Sequence, residues 1–117
     1  AQLLGHYRVA GDPPSDESLQ KSPVAEQTLF YSAFYYLLSG EGQKALEGFN
    51  KYIVKYADGL FVDRAYLGLG DIYSSNKDNI LQAKASYNKI LESFPDGPVT
   101  EQARERLLKL ETAGKVG

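Results

Sequence analysis

The sequence predicts an all-α fold: an α-solenoid of about two helical hairpins closed by a C-terminal capping helix, with an N-terminal segment able to dock as an extra helix. Three observations predict it. First, the chain repeats on itself. A shift of 38 lays Lys55–Gly59 (KYADG) on Ser93–Gly97 (SFPDG), and Ala45, Phe49 and Tyr52 on Ala83, Tyr87 and Ile90. A shift of 75 lays Ser22–Thr28 on Gly97–Ala103, with Gly59–Ala65 between them in the same phase. Second, apolar residues inside each unit recur at steps of three and four, the period of one face of a helix. Third, glycine, proline and short polar runs punctuate the chain where such helices would have to stop.

The elements follow in order. Residues 1–21 form an N-terminal segment in which Leu3, Leu4, Tyr7 and Val9 supply apolar side chains and GDPPSDES reads as a linker. A first helix is expected from about residue 23, with Leu29, Ala33 and Tyr36 on one face, ending at Ser39-Gly40-Glu41-Gly42. A second runs from Gln43 to Tyr56 with Leu46, Phe49 and Ile53 inward, and Asp58-Gly59 stops it. The second unit repeats the plan from about residue 60: Tyr66, Leu69, Gly70 and Tyr73, a break at Ser74–Asn79, then Ile80 to Phe94 with Ala83, Tyr87, Ile90 and Leu91 inward. Pro95-Asp96-Gly97 closes it, since proline cannot continue a helix and glycine accepts the left-handed turn. The units therefore span 22–59 and 60–97. A capping helix fills 98–112, with Glu101, Gln102, Arg104, Glu105, Arg106 and Lys109 giving it a solvated surface, and 113–117 reads as a flexible tail.

The spacing Tyr66, Leu69, Gly70, Tyr73, Ala83, Tyr87, Ile90, Pro95 resembles the tetratricopeptide repeat signature, with its small residue at the close helix crossing and its closing proline. From Ala83 onward the match is displaced by one residue, which implies a one-residue insertion in the Ser75–Asn79 turn. The first unit matches through Leu29, Ala33, Tyr36, Ala45, Phe49 and Tyr52, but carries Ala57 where the family has proline. The resemblance covers about residues 22 to 111. It implies stacked hairpins, a concave groove that binds a protein or peptide, and no catalytic role. A period of 37 to 38 rather than about 34, together with the aromatic-Pro-Asp-Gly turn, looks more like the repeats of bacterial envelope proteins. The outer-membrane assembly lipoproteins and the periplasmic Tol-Pal coordinator class are the nearest in kind, which implies the periplasm or cell envelope rather than the cytoplasm.

Composition narrows the chemistry. With 13 basic and 15 acidic residues in 117 and a net charge of −2, the chain has no basic cluster of the kind that nucleic acid or an anionic membrane requires. It has no cysteine, hence no disulfide, thiolate nucleophile or thiolate metal site. The single histidine, His6, has neither a second histidine nor a cysteine to complete a metal site. Asp12, Asp16 and Glu17 lie among prolines without EF-hand spacing. Gly68 and Gly70 sit inside a helix, where close packing explains Gly70, rather than before a phosphate-binding helix start. The expectation is no catalytic residue, no metal and no cofactor.

The most apolar stretch is LFYSAFYYLL, Leu29–Leu38, with nine apolar or aromatic residues in ten positions. A membrane-spanning helix needs about 20, so this run is not one. Turned about a helix axis, it splits into three faces. Leu29, Ala33, Tyr36 and Leu37 meet the second helix of the same hairpin. Phe30 and Phe34 fall where the resemblance places the inner groove, either lining a partner-binding surface or covered by the chain's own N-terminal segment. Tyr31, Tyr35 and Leu38 fall where a preceding helix would pack, either against residues 1–10 or against a partner. The matching groove positions are Arg64, Leu67, Asp71 and Ser74 in the second unit and Gln102, Glu105 and Lys109 in the third; Arg64 and Asp71 either bind a ligand or form a solvated pair. Two functions remain. One is a protein-binding module centred on Phe30 and Phe34. The other is a structural subunit that packs through Tyr31, Tyr35 and Leu38 into a homo-oligomer or larger assembly.

Overall fold

The computed structural model describes residues 22–116, which form five packed helices: α1 Pro23–Leu38, α2 Gly42–Lys55, α3 Val62–Ser74, α4 Ile80–Ser93 and α5 Thr100–Val116. A 3-10 turn at Lys77–Asn79 precedes α4, at the place where the repeat phase slips by one residue. Among the described residues there is no strand. Each helix packs chiefly on its neighbours in sequence, α1 on α2, α2 on α3, α3 on α4 and α4 on α5. The expectations for residues 1–21, including the docking helix, the linker and His6, lie outside the described residues.

Local chemistry sets the helix ends. Ser22 caps α1, its hydroxyl accepting from the Ala25 amide at 3.1 Å, and Pro23 opens the first turn, where its missing N–H costs nothing. At the other end Gly40 adopts φ 81°, so that its amide reaches the Leu37 carbonyl at 3.1 Å and the Glu41 amide reaches the Tyr36 carbonyl at 2.9 Å. This is a Schellman stop.

Helix α3 starts at Val62, later than the expected 60, for a physical reason. The Leu60 amide donates to Glu26 at 2.7 Å and the Phe61 amide donates to the Tyr52 hydroxyl at 2.9 Å. Side chains of the first hairpin thus hold the chain before the helix begins. Helix α5 likewise starts at Thr100 rather than 98, because the Thr100 hydroxyl accepts from the Gly97 amide at 2.9 Å and donates to the Phe94 carbonyl, locking the Pro-Asp-Gly turn. It then continues to Val116, past the expected end at 112.

Two apolar clusters fill the interior. The larger gathers Phe30, Ala33, Ala45, Phe49, Tyr52, Phe61, Val62, Ala65 and Leu69. The smaller gathers Ala83, Tyr87, Ile90, Val99 and Ala103, and Tyr66, Tyr73 and Phe94 pack against both. The inward face expected of α1 is the observed one: Ala33 is buried, and Leu29, Tyr36 and Leu37 are half-buried against the larger cluster. At Gly70 the ring of Tyr87 occupies the space a Cβ would need, so the close crossing expected there exists.

Candidate functional site

Helices α1 and α3 run side by side and leave a cleft of about 430 Å³ between them. Phe30, Tyr31, Phe34 and Leu37 form one wall, Arg64, Leu67, Gly68 and Asp71 the other, and Val99 closes one end. Six of the seven residues singled out from sequence are therefore brought together: Phe30, Tyr31, Phe34, Arg64, Leu67 and Asp71.

Their placement differs from expectation in two places. Phe30 is not an exposed anchor; it is 4% exposed and belongs to the core. Its ring stacks on Phe61 at 4.7 Å with 10° between planes, because the two tethered amides of the α2–α3 turn place Phe61 over it. Phe34 continues the stack at 6.1 Å and 13°, and at 38% exposed it is the ring the cleft presents. Arg64 and Asp71 do not pair with each other. The Arg64 guanidinium lies 5.4 Å from the Phe61 ring centroid, within cation–π range.

Asp71 turns instead toward the C-terminal half of the chain. One carboxylate oxygen accepts from the Tyr87 hydroxyl at 2.6 Å, and the other pairs with Arg106 of α5 at 2.8 Å. Burial first, and then the hydrogen bond to Asp71, push the Tyr87 phenol above its usual range. Nothing in the sequence near Asp71 announces Arg106, which lies 35 residues away.

Tyr35 does not line the cleft. It borders a separate, shallower concavity of about 370 Å³ made by Thr28, Tyr31, Ser32, Tyr35 and Tyr36. Tyr35 and Leu38 are 65% and 71% exposed, while Tyr31 stands between the two surfaces, packing edge-on against Phe30 and Phe61. Gln102, Glu105 and Lys109 are exposed on α5 and are not among the residues lining the cleft.

A second polar node went unread in the sequence. Glu26 accepts from the Tyr52 hydroxyl at 2.6 Å and from the Leu60 amide, so that one carboxylate ties α1, α2 and the entry to α3. Burial, followed by the hydrogen bond to Glu26, pushes the Tyr52 phenol up as well. The only signal available was an acid in the first turn of a helix, which ordinarily reads as no more than a favourable charge at the dipole's positive end.

Among the described residues no group of three or more His, Cys, Asp or Glu is placed to hold a metal, and no helix is long and apolar enough to cross a membrane. Compared with models of protein families, with curated proteins and with solved structures, the chain has no match.

Proposed function

We propose that this chain is a non-catalytic interaction module of tetratricopeptide type, a short solenoid that binds a peptide or protein segment in the cleft between α1 and α3. The observation that carries this reading is the cleft's composition. Phe34 and Leu37 on one wall and Leu67 on the other offer an apolar lining of open or half-open side chains, while Arg64 and the Asp71–Arg106 pair edge it with charge of both signs. An extended or helical segment with one aromatic or aliphatic anchor and polar flanks suits such a surface, since anchors buried in a pocket dominate binding energy and rim charges set orientation.

The test is selection of binding peptides from a displayed random library on the full chain, followed by calorimetric titration. Phe34→Ala and Leu67→Ala should each weaken the selected peptide by about tenfold or more, the loss typical of a hot spot. Undiminished binding to both variants overturns the groove.

The alternative, a structural subunit that packs through the open face of α1, draws support from a different observation. Tyr35 and Leu38 are exposed side by side at 65% and 71%, with Val24 at 70% at the other end of the same helix.

A further inference from the structure

The repeat itself says what the open face of α1 is shaped to receive. A shift of 37 lays Val24, Thr28, Tyr31 and Tyr35 on Phe61, Ala65, Gly68 and Ile72 of the second unit. There that face is covered: Ala65 is buried and the Phe49 ring of α2 lies only 2.6 Å from where a Cβ on Gly68 would stand, while Phe61 is buried between Phe30 of α1 and Tyr52 of α2. In the third unit α4 covers the same face, burying Val99 and Ala103. Only in α1 is it open, at 70% for Val24, 52% for Tyr31 and 65% for Tyr35.

The missing occupant is not another hairpin stacked in the same way. Where α3 has glycine to admit an aromatic ring, α1 carries Tyr31, a full side chain that packs edge-on against Phe30 and Phe61 and offers no such opening. A helix meeting this face must stand further off and pack lengthwise. The exposed residues have the spacing for that: Val24, Thr28, Tyr31, Tyr35 and Leu38 follow at steps of four and three, a heptad seam. The shallow concavity is bounded by Thr28, Tyr31, Ser32 and Tyr35, at i, i+3, i+4 and i+7, the diamond into which a facing helix inserts a side chain.

We propose that this seam pairs two copies of the chain, α1 against α1 in antiparallel orientation, about a twofold axis passing between Tyr31 and Ser32. The proposal specifies the structural-subunit reading; of the cleft's lining it uses Tyr31 alone. Antiparallel self-alignment in this register sets large against small: Tyr31 opposite Ser32 of the other copy, Tyr35 opposite Thr28, Leu38 near Val24. Nor does charge oppose it. The only charged residue of α1 is Glu26, which is turned to Tyr52 and Leu60. Covering the exposed parts of these side chains buries roughly 500 Å² per copy, given that a whole aromatic buries about 150–250 Å². The total of about 1,000 Å² is the threshold for a specific interface.

Sedimentation equilibrium of the full chain should show a mass rising from 12.9 kDa toward twice that value, with a midpoint on the order of 10 μM. Tyr35→Glu should raise the dissociation constant at least tenfold, roughly the loss of a central anchor. Leu67→Ala, which tests the groove, should leave it unchanged. Because the chain has no cysteine, register can be read directly. Ser32→Cys should give a covalent dimer on oxidation or with a short bismaleimide. Val24→Cys should not, since antiparallel pairing holds the two copies of residue 24 roughly 22 Å apart at 1.5 Å per residue. A mass of 12.9 kDa at every concentration overturns the proposal, and is the result expected if residues 1–21 cover the seam instead. Equally fatal are linking of Val24→Cys as readily as Ser32→Cys, which means a parallel pair, and a dimer indifferent to Tyr35→Glu.

Discussion

Helices α1 and α3 hold equivalent places in their hairpins and differ most at two aligned pairs, Tyr31 against Gly68 and Phe34 against Asp71. In α3, glycine admits the Phe49 ring from the unit before, and aspartate reaches Arg106 in the unit after. In α1 both positions are aromatic and border the open cleft that faces α3. One helical hairpin can therefore be a link or an end according to two side chains. A link gives up volume where its neighbour arrives and places a charge where the next neighbour can answer it. An end keeps its volume and leaves it exposed, at 52% for Tyr31 and 38% for Phe34.

The junction through Gly68 is the strongest point at which to break that comparison. Phe49 is fully buried, with its ring 5.8 Å from Phe30 on one side and against Gly68 on the other. Phe49→Ala should cost about 3–5 kcal/mol, the loss for a buried aromatic whose site cannot collapse. Urea unfolding followed by circular dichroism measures it. A cost below about 1 kcal/mol would mean that the two units stand without the ring between them.

Next in size is the removal of one hydroxyl, made separately in each unit. Tyr52→Phe deprives the Phe61 amide of its acceptor and Glu26 of a donor, at the turn where α3 begins. A buried donor left unpaired costs about 1–3 kcal/mol. Tyr87→Phe takes one hydrogen bond from Asp71 but leaves it the Arg106 guanidinium, so its cost should stay near the ordinary 1 kcal/mol for a single bond. The same denaturant titration compares the two. Equal losses would show that the Glu26 node does not organise the turn.

How much of this was legible beforehand follows from the range of the interactions. The five helices, the inward face of α1 and the crossing at Gly70 all depend on spacing within one helix or on the phase of the repeat, and a sequence displays both directly. The helix starts at Val62 and Thr100 were misplaced because hydrogen bonds to Glu26, Tyr52 and the Thr100 hydroxyl set them, and no propensity encodes those. The helix wheel turns Phe30 toward the groove, to line it or to be covered by the N-terminal segment. It is instead packed among Phe49, Tyr52 and Phe61, the last a residue outside any helix whose position depends on two tethered amides. Asp71 shares groove positions with Arg64 in the repeat, as ligand contacts or a solvated pair, whereas its charged partner belongs to another unit. The wheel gives the angles of these side chains, yet Leu37 and Tyr31, which it sets on other faces than Phe34, line the cleft beside it. Which of them stays open is decided by neighbours the wheel does not contain.

The smallest effect expected near neutral pH is none, and that absence sharpens the comparison too. Tyr52 and Tyr87 are buried tyrosines, one in each of the two units, and both are held above the ordinary tyrosine value of about 10 by burial and a carboxylate partner. Below about pH 10 both are protonated whether the chain is folded or not, so their contribution to stability is present in full. Above it the unfolded chain loses these protons first. The folded state then binds more protons than the unfolded one, and stability falls as pH rises toward the folded values. Spectrophotometric titration of the nine tyrosines should accordingly show two that ionise late, and only together with unfolding. Tyr52→Phe and Tyr87→Phe should each remove one of them. If either variant still shows two late-ionising tyrosines, the hydroxyl it removed was open to solvent and its unit is not closed as described.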